Sequence, residues 1–501
     1  MVAMGRRELL AGVAGMSLAG GVDGDETLWP ADPEHEGLVA RAQALVDAAA
    51  ARVAADPLRP AFHFAPPSRF MNDPNGPVLV DGVYHIFYQH LPTWGAEPFS
   101  GAPGWGHASS TDLVRWRHWP IALMPRPGGY DAAAVASGAC VVADGHPTIV
   151  YTSVPPQAQS LARSFDGMRT WRRYARNPVV AGPPPIAGLE DGFRDPFVWR
   201  EGRQWRMLVG SGIRGVGGAV LLYGSPDLLQ WDYLGVLCRG MGPDCFQWEC
   251  PNFFPLGDKW ALVVSPLLHS EPTLRGPVQV AVGDYDGRRF TPGEWRPMDL
   301  GGPGVYYAPN SLRDARGRRV VFGWIMGGGS PGVPWDGLLT VPREISLGPD
   351  GLLRVRPVRE IETLRGPRVT DWRGRTLEPG KPLEAARGVQ LDASLEVEAG
   401  GGALEMRLFA SADGGRCHPL RFEPSTGALR FGDRSASAGP GGPRRTLRLL
   451  LDRSVIELTI DGREAMTLRA HPAVGDDRLL LAADGASVRL RRLQVWPMAS
   501  T

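Results

Sequence analysis

Hydrophobic and polar residues alternate along most of this chain. From residue 60 onward short runs recur, among them Val83–Tyr88 (VYHIFY), Thr148–Tyr151 (TIVY), Trp205–Val209 (WRMLV) and Trp260–Val264 (WALVV). Gly, Pro and Asp punctuate them, which is the texture of strands and turns. The N-terminal side differs. Residues 33–55 are Ala-rich, with Leu38, Ala42, Leu45 and Val46 at helical spacing, and predict one helix. A Gly/Pro-interrupted stretch at 348–367 predicts a linker. Beyond it Gly402–Phe409, Thr446–Leu451, Val455–Ile460, Leu479–Ala482 and Val488–Trp496 alternate again, with turn signals at Asp461-Gly462 and Asp484-Gly485. That last part reads as a β-sandwich.

The first β-rich part repeats itself. Ser110-x-Asp112…Trp116, Ser164-x-Asp166…Trp171 and Ser225-x-Asp227…Trp231 share one signature, and Asp284-Tyr-Asp286…Phe290 is a weaker fourth copy. Their aspartates recur at steps of roughly 54–61 residues, the spacing of β-propeller blades built from several strands each.

Composition supports an all-β chain. The 501 residues include 65 Gly and 47 Pro, too many turn formers for a helical bundle. Formal net charge is +1, so no basic excess points to nucleic acid or to an anionic membrane. No apolar run reaches the roughly 18 residues needed to span a bilayer. Trp (16) outnumbers Tyr (10), which suits sugar-stacking surfaces or repeated core positions. The cysteines (Cys140, Cys238, Cys245, Cys250, Cys417) are few and lack paired spacing, so neither a disulfide framework nor a zinc site is expected. At the start Arg6-Arg7 precede a mildly apolar stretch, Leu9 to Gly20, which reads as a twin-arginine export signal and predicts a periplasmic or extracellular protein. The expected organisation is therefore signal and linker over 1–32, helix over 33–59, propeller over 60–347, linker over 348–367 and sandwich over 368–501.

Three carboxylates stand in organised surroundings: Asp73 in FMNDPNGP, Asp195 in FRDP and Glu249 in QWECP. Each precedes a turn aspartate by roughly 32–39 residues, so each occupies a comparable early-strand position in its own repeat. The first strands of propeller blades line one axis, where residues distant in sequence meet. Convergent carboxylates suit glycoside hydrolysis, with one acting as nucleophile and one as proton donor. Arg194 is expected to keep Asp195 ionised if their side chains approach, and Trp248 and Cys250 to give Glu249 a less polar setting suited to an acid. Asp73 is expected in a rigid turn, with Pro74 fixing the backbone and Gly76 bending it.

At these residues the chain resembles glycoside hydrolase family 32, the invertase and fructan-hydrolase family. The family's W-M-N-D-P-N-G is similar to Phe70–Gly76, its R-D-P to Arg194–Pro196 and its W-E-C-P to Trp248–Pro251. Tyr84–Gln89, Trp105–Trp116, Tyr306–Ala308, Gly323–Ile325 and Leu339–Glu344 also fit. Asn177–Pro185 and Pro251–Pro255 look like the plant-type branch. The resemblance implies a five-bladed propeller followed by a β-sandwich. It implies Asp73 as nucleophile, Asp195 as transition-state stabiliser and Glu249 as acid/base. Asn72, Gln89, Trp94, Ser137, Arg194 and Trp324 would line the fructose subsite. The implied activity is that of a retaining β-fructofuranosidase acting on sucrose or a fructo-oligosaccharide. Phe70 replaces a Trp and keeps an aromatic ring there. Two further departures bear on leaving-group preference: Ala136–Ala139 (ASGA) stands where the family often has Phe-Ser-Gly-Ser, and Val305 stands where many relatives carry Asp.

Two other readings remain open at this point: a fructosyltransferase that uses a sugar acceptor, and a catalytically inactive sugar-binding propeller. No metal or other cofactor is expected, since no His/Asp cluster has ligand spacing. His63, His85, His90 and His107 are expected to be structural. The sandwich is expected to brace the propeller. Oligomeric state is not readable.

Overall fold

The computed structural model describes residues 27–95, 101–271 and 273–501; the Arg6-Arg7 segment lies outside them. Among the described residues the fold is nearly all β. A single long helix spans Pro33–Ala54, with Pro33 in its first turn and Asp32 at its N-cap accepting from the His35 N–H at 3.1 Å. Its buried face (Ala42, Val46, Ala49, Val53) reaches Ile121 on one side and Trp335 and Leu338 on the other.

The strands that follow form antiparallel units. Arg69–Val80, Val83–Leu91, Gly104–Ser110 and Arg117–Leu123 pair in order. So do Ala134–Ala143 with the next three strands, Arg194–Glu201 with its three and Cys245–Leu256 with its four. Tyr306–Arg313 opens a last unit through Arg319–Gly328, and a parallel pairing of Arg69 with Trp335 and Phe70 with Asp336 joins this unit to the first. Part of the stretch expected as a linker belongs here. Leu353–Pro357 pairs with Arg343–Leu347 as an outer strand, and a 3₁₀ turn follows at Arg359–Leu364. The five opening strands contact one another in a closed cycle, the first against the last.

The Ser-x-Asp repeats fall between the third and fourth strands of successive units, and their chemistry is the same each time. Ser110 Oγ donates to Asp112 Oδ1 at 3.0 Å, and that oxygen also accepts the Val114 and Arg115 N–H groups at 3.0 and 2.7 Å. Asp166 and Asp227 accept from Ser164 and Ser225 and from backbone N–H groups in the same way. Leu113, Met168 and Leu228 each have positive φ, and the indoles of Trp116 and Trp231 donate to the carbonyls of Leu113 and Leu228. The aspartate replaces backbone partners that the turn lacks.

Residues 370–497 form two six-stranded sheets that share one core, with Leu395, Leu449 and Leu458 from one sheet and Met406, Leu420 and Leu481 from the other. A buried ionic network ties this part to the first. Asp452 accepts the Ala61, Phe62 and His63 N–H groups at 2.7–2.9 Å. His63 lies between Asp452 Oδ2 (2.8 Å) and Glu457 Oε1 (3.0 Å), and Arg343 links Glu457 (2.8 Å) to Asp299 (2.6 Å).

Candidate functional site

Each of the five opening strands breaks its ladder within its span. The register shifts between Asn75 and Val78, between Ala136 and Gly138, across Asp195-Pro196, between Glu249 and Asn252, and between Tyr307 and Asn310. Four of the breaks centre on a proline preceded by a residue with positive φ: Gly76 (44°), Asp195 (64°), Cys250 (45°) and Ala308 (45°). Proline has no N–H to give a ladder, and a bulge re-aims the side chains beside it. Left-handed geometry at three non-glycine residues costs on the order of 1–3 kcal/mol each and persists only where its surroundings enforce it. The prolines of the RDP and ECP motifs therefore mark bulges inside strands. Asp73, expected in a turn, instead lies within Arg69–Val80, beside a further register shift between Met71 and Pro74.

These bulges bring three carboxylates to one place. Cys250 Sγ sits between two of them, 3.4 Å from Asp73 Oδ2 and 3.6 Å from Asp195 Oδ2. Asn72 Nδ2 donates to Asp73 Oδ1 at 2.9 Å, and Ser137 Oγ to Oδ2 at 2.7 Å. The Cys250 N–H donates to Asp195 Oδ2 at 3.0 Å, and the Asp195 N–H donates to Thr152 Oγ1 at 2.9 Å. Glu249 Oε1 accepts from Arg194 Nε at 3.0 Å and Nη2 at 2.6 Å, and Oε2 accepts from the Tyr307 hydroxyl at 2.9 Å.

The charges are distributed differently from the sequence expectation. Arg194 does not hydrogen-bond its neighbour Asp195; its fork closes on Glu249. The bulge at Asp195-Pro196 interrupts the alternation and aims the two side chains at different partners. Regular alternation between Trp248 and Glu249 removes the apolar setting expected for Glu249. Trp248 turns into the core, 5.4 Å from Trp295 between ring centroids, while Glu249 faces the Arg194–Tyr307 pair. Asp195 is pushed up to about 7, first by burial and then by Glu249 and Asp73, with Arg194 and the Cys250 N–H opposing. Asp73 is also raised, chiefly by burial, against the hydrogen bonds of Ser137 and Asn72.

The other predicted residues surround this centre. Ser137 and Asn72 touch Asp73 directly. Trp324 and Trp94 flank Phe70, with centroids at 6.3 and 6.2 Å, and form an aromatic wall. Gln89 is one layer out; it is buried and donates to Val135 O at 2.8 Å, two residues before Ser137. Four contributors went unassigned in the sequence: Cys250, Thr152, Tyr307 and Arg275. The guanidinium of Arg275 lies 5.6 Å from the ring centroids of both Tyr307 and Trp324. Cys250 and Tyr307 carried a readable signal, since Glu-Cys-Pro and Tyr-Ala-Pro repeat the bulge pattern of Arg-Asp-Pro.

Residues 63–357 match the glycosyl hydrolases family 32 N-terminal domain, and residues 360–497 match the family 32 C terminal domain. The chain belongs to glycosyl hydrolases family 32. Among its relatives, the raffinose invertase of Escherichia coli is 34% identical over 473 residues, covering 86% of this chain and 93% of its own. The levanase of Bacillus subtilis is 31% identical over 496 residues, covering 88% of this chain and 70% of its own. Fructan 1-exohydrolase IIa from Cichorium intybus superposes with a TM-score of 0.76 at 26% identity, covering 89% of this chain and 98% of that one. The Bombyx mori family 32 β-fructofuranosidase gives 0.75 at 27% identity, covering 92% and 98%. Variants of these two enzymes are solved with 1-kestose and with sucrose. Against the family pattern, Val305 is buried beside Ile325 and Trp335, where an aspartate would be a buried charge.

Proposed function

We propose that this family 32 glycosidase is a retaining β-fructofuranosidase that releases terminal β-D-fructofuranosyl units from sucrose or small fructans. The observation that carries the proposal is the meeting of Asp73, Asp195 and Glu249 around Cys250, each held in place by hydrogen-bond donors. Asp73 attacks the anomeric carbon, and the hydrogen bonds from Asn72 and Ser137 fix its carboxylate for attack. Glu249, steadied by Arg194 and Tyr307, passes a proton to the leaving oxygen and later takes one from water. Asp195 accepts hydroxyl hydrogen bonds from the fructosyl ring as positive charge develops there. The cycle of five opening strands, each heading its own antiparallel unit, supports a five-bladed propeller that gathers these groups at one mouth. The sugars bound by the Cichorium and Bombyx relatives support the substrate class.

The deciding experiment incubates the protein with sucrose, raffinose, inulin and levan and separates the products. Equimolar glucose and fructose from sucrose is the expected result; kestoses would mean transfer to sugar, and no turnover would mean an inactive binding module. NMR of the first fructose released should show the β-anomer. An α-anomer would require inversion and a wider carboxylate gap, about 6.5–9.5 Å in place of about 5–5.5 Å.

A further inference from the structure

The bulged strands line a second, half-open cavity that reaches Gly76 and Pro77. It measures about 580 Å³, within the range of small-molecule sites, and aromatic side chains of Phe197, Trp199, Phe253 and Trp260 line much of it. An amide and hydroxyl layer separates it from the carboxylates. Asn252 bonds the Cys250 and Pro309 carbonyls at 3.1 and 2.8 Å, Ser311 bonds Asn252 at 2.8 Å, and Asn310 bonds the Gly138 carbonyl at 3.2 Å.

Two arginines reach this cavity under unusual conditions. Arg313 and Arg319 face each other across adjacent strands, a like-charge pairing that ordinarily destabilises a sheet; Arg319 is half-buried, Arg313 is exposed beside Gly317, and both also border a neighbouring cavity. Among the described residues no carboxylate forms an ion pair with either. The nearby acids are engaged or remote from them: Glu201 accepts from Arg206 at 2.9 Å, Asp284 from Lys259 at 2.8 Å, Glu344 lies 3.7 Å from Arg318, and Asp258 stays in solvent. Arg319 stacks 4.5 Å from the Phe254 centroid, and its Nε is sealed from solvent without an acceptor. Burial, and then Arg313, push the Arg319 guanidinium down to about 9. The indole N–H of Trp199 is likewise buried without a partner. Every unsatisfied group here is a donor, and buried donors left unpaired are costly.

We propose that this distal cavity is a binding site for a small phosphate-bearing ligand, with Arg313 and Arg319 clasping the oxyanion. Planar guanidinium forks match tetrahedral oxyanions, and the aromatic wall suits the ring of a phosphorylated sugar. The site is separate from the carboxylate centre and does not depend on the activity proposed for it.

The test is thermal unfolding of the full chain in inorganic phosphate and in fructose 6-phosphate, each against sodium chloride of matched ionic strength. The expected result is a saturable rise in Tm of several degrees with phosphate, abolished in Arg319→Met and reduced in Arg313→Gln. A larger rise with fructose 6-phosphate, also lost in Arg319→Met, would add the sugar body to the recognised features. In chloride alone Arg319→Met should melt no lower than wild type, because it removes an uncompensated charge and keeps a stem to cover Phe254. Arg313→Gln serves the same comparison if Arg319→Met fails to fold. A phosphate effect no greater than that of chloride, or one that survives both substitutions, would overturn the proposal.

Discussion

Asp73 has three neutral donors on its oxygens, from Asn72, Ser137 and the Cys250 thiol, and two carboxylates as neighbours, and its pKa is raised mainly because the site excludes water. As the nucleophile it must be ionised, so the acid limb of kcat/KM should fall above the ordinary aspartate value of about 3.8. Ser137→Ala removes a donor that favours the charged form. The limb should then move further up in a pH-rate profile. Asp73→Asn keeps the shape and the Asn72 and Ser137 neighbourhood, so the variant should fold with the wild-type circular dichroism spectrum. Its hydrolysis rate should fall by several orders of magnitude, and retention of a tenth of the rate would place the nucleophile elsewhere. Asp195 offers a stability counterpart. Its folded pKa of about 7 exceeds the unfolded aspartate value, so its charged form burdens the folded state once pH passes about 7 and the burden fades as pH falls toward 4. Asp195→Asn should therefore raise Tm at pH 8 more than at pH 5 while abolishing turnover; an equal shift at both pH values would contradict the electrostatic origin.

At the level of strands and turns, the aspartates divide into two kinds that the sequence could separate by context. Asp112, Asp166 and Asp227 recur at blade spacing beside a serine and before a tryptophan, and each caps backbone N–H groups in a turn. Burial raises the pKa of Asp112, but the Arg115 and Val114 N–H groups outweigh it and hold the carboxyl below its usual range. Asp112→Asn should cost about 1 kcal/mol, read by urea denaturation, and leave the rate per folded molecule within about twofold, unlike Asp73→Asn. Alternation and repeat spacing made the strands, the turns and the three acids legible. The bulges were not, because a proline after an acid is more often a turn initiator than an interruption inside a strand. Missing the bulges hid which way Arg194 and Glu249 point, and with it the Arg194–Glu249–Tyr307 contact. Glu249→Ala tests the consequence: turnover of sucrose should collapse while an aryl fructoside with a good leaving group is cleaved far more readily, since that group leaves without a proton. Equal losses on both substrates would remove the acid role.

Across the whole molecule, the opening strand cycle and the two-sheet C-terminal part are joined by charges that water does not reach. His63 comes just before the first opening strand and Glu457 lies within the second part, a pairing that no local pattern announces. Burial disfavours the charged imidazole, yet Asp452 and Glu457 outweigh it and bring His63 up to about 9. Glu457 is correspondingly drawn down to about 2, against burial, by Arg343 and His63. The raised His63 contributes stability that is fully present below its unfolded value of about 6.5 and is lost as pH rises through about 9. The lowered Glu457 contributes stability that is present above about 4.5 and is lost as pH falls through about 2. The junction is therefore strongest between about pH 4.5 and 6.5. Buried histidines with depressed values, such as His90 and His118 at about 4 and 3, do not obscure the alkaline side, since they are neutral in both states above about 7.5. Calorimetry from pH 7.5 to 9 should show Tm of the wild type declining. His63→Gln should melt several degrees lower at pH 6, where it leaves two buried carboxylates short of a cation, and should converge on the wild type by pH 9. Parallel curves with a constant offset would mean that His63 acts through packing alone and that the junction carries no proton-linked term.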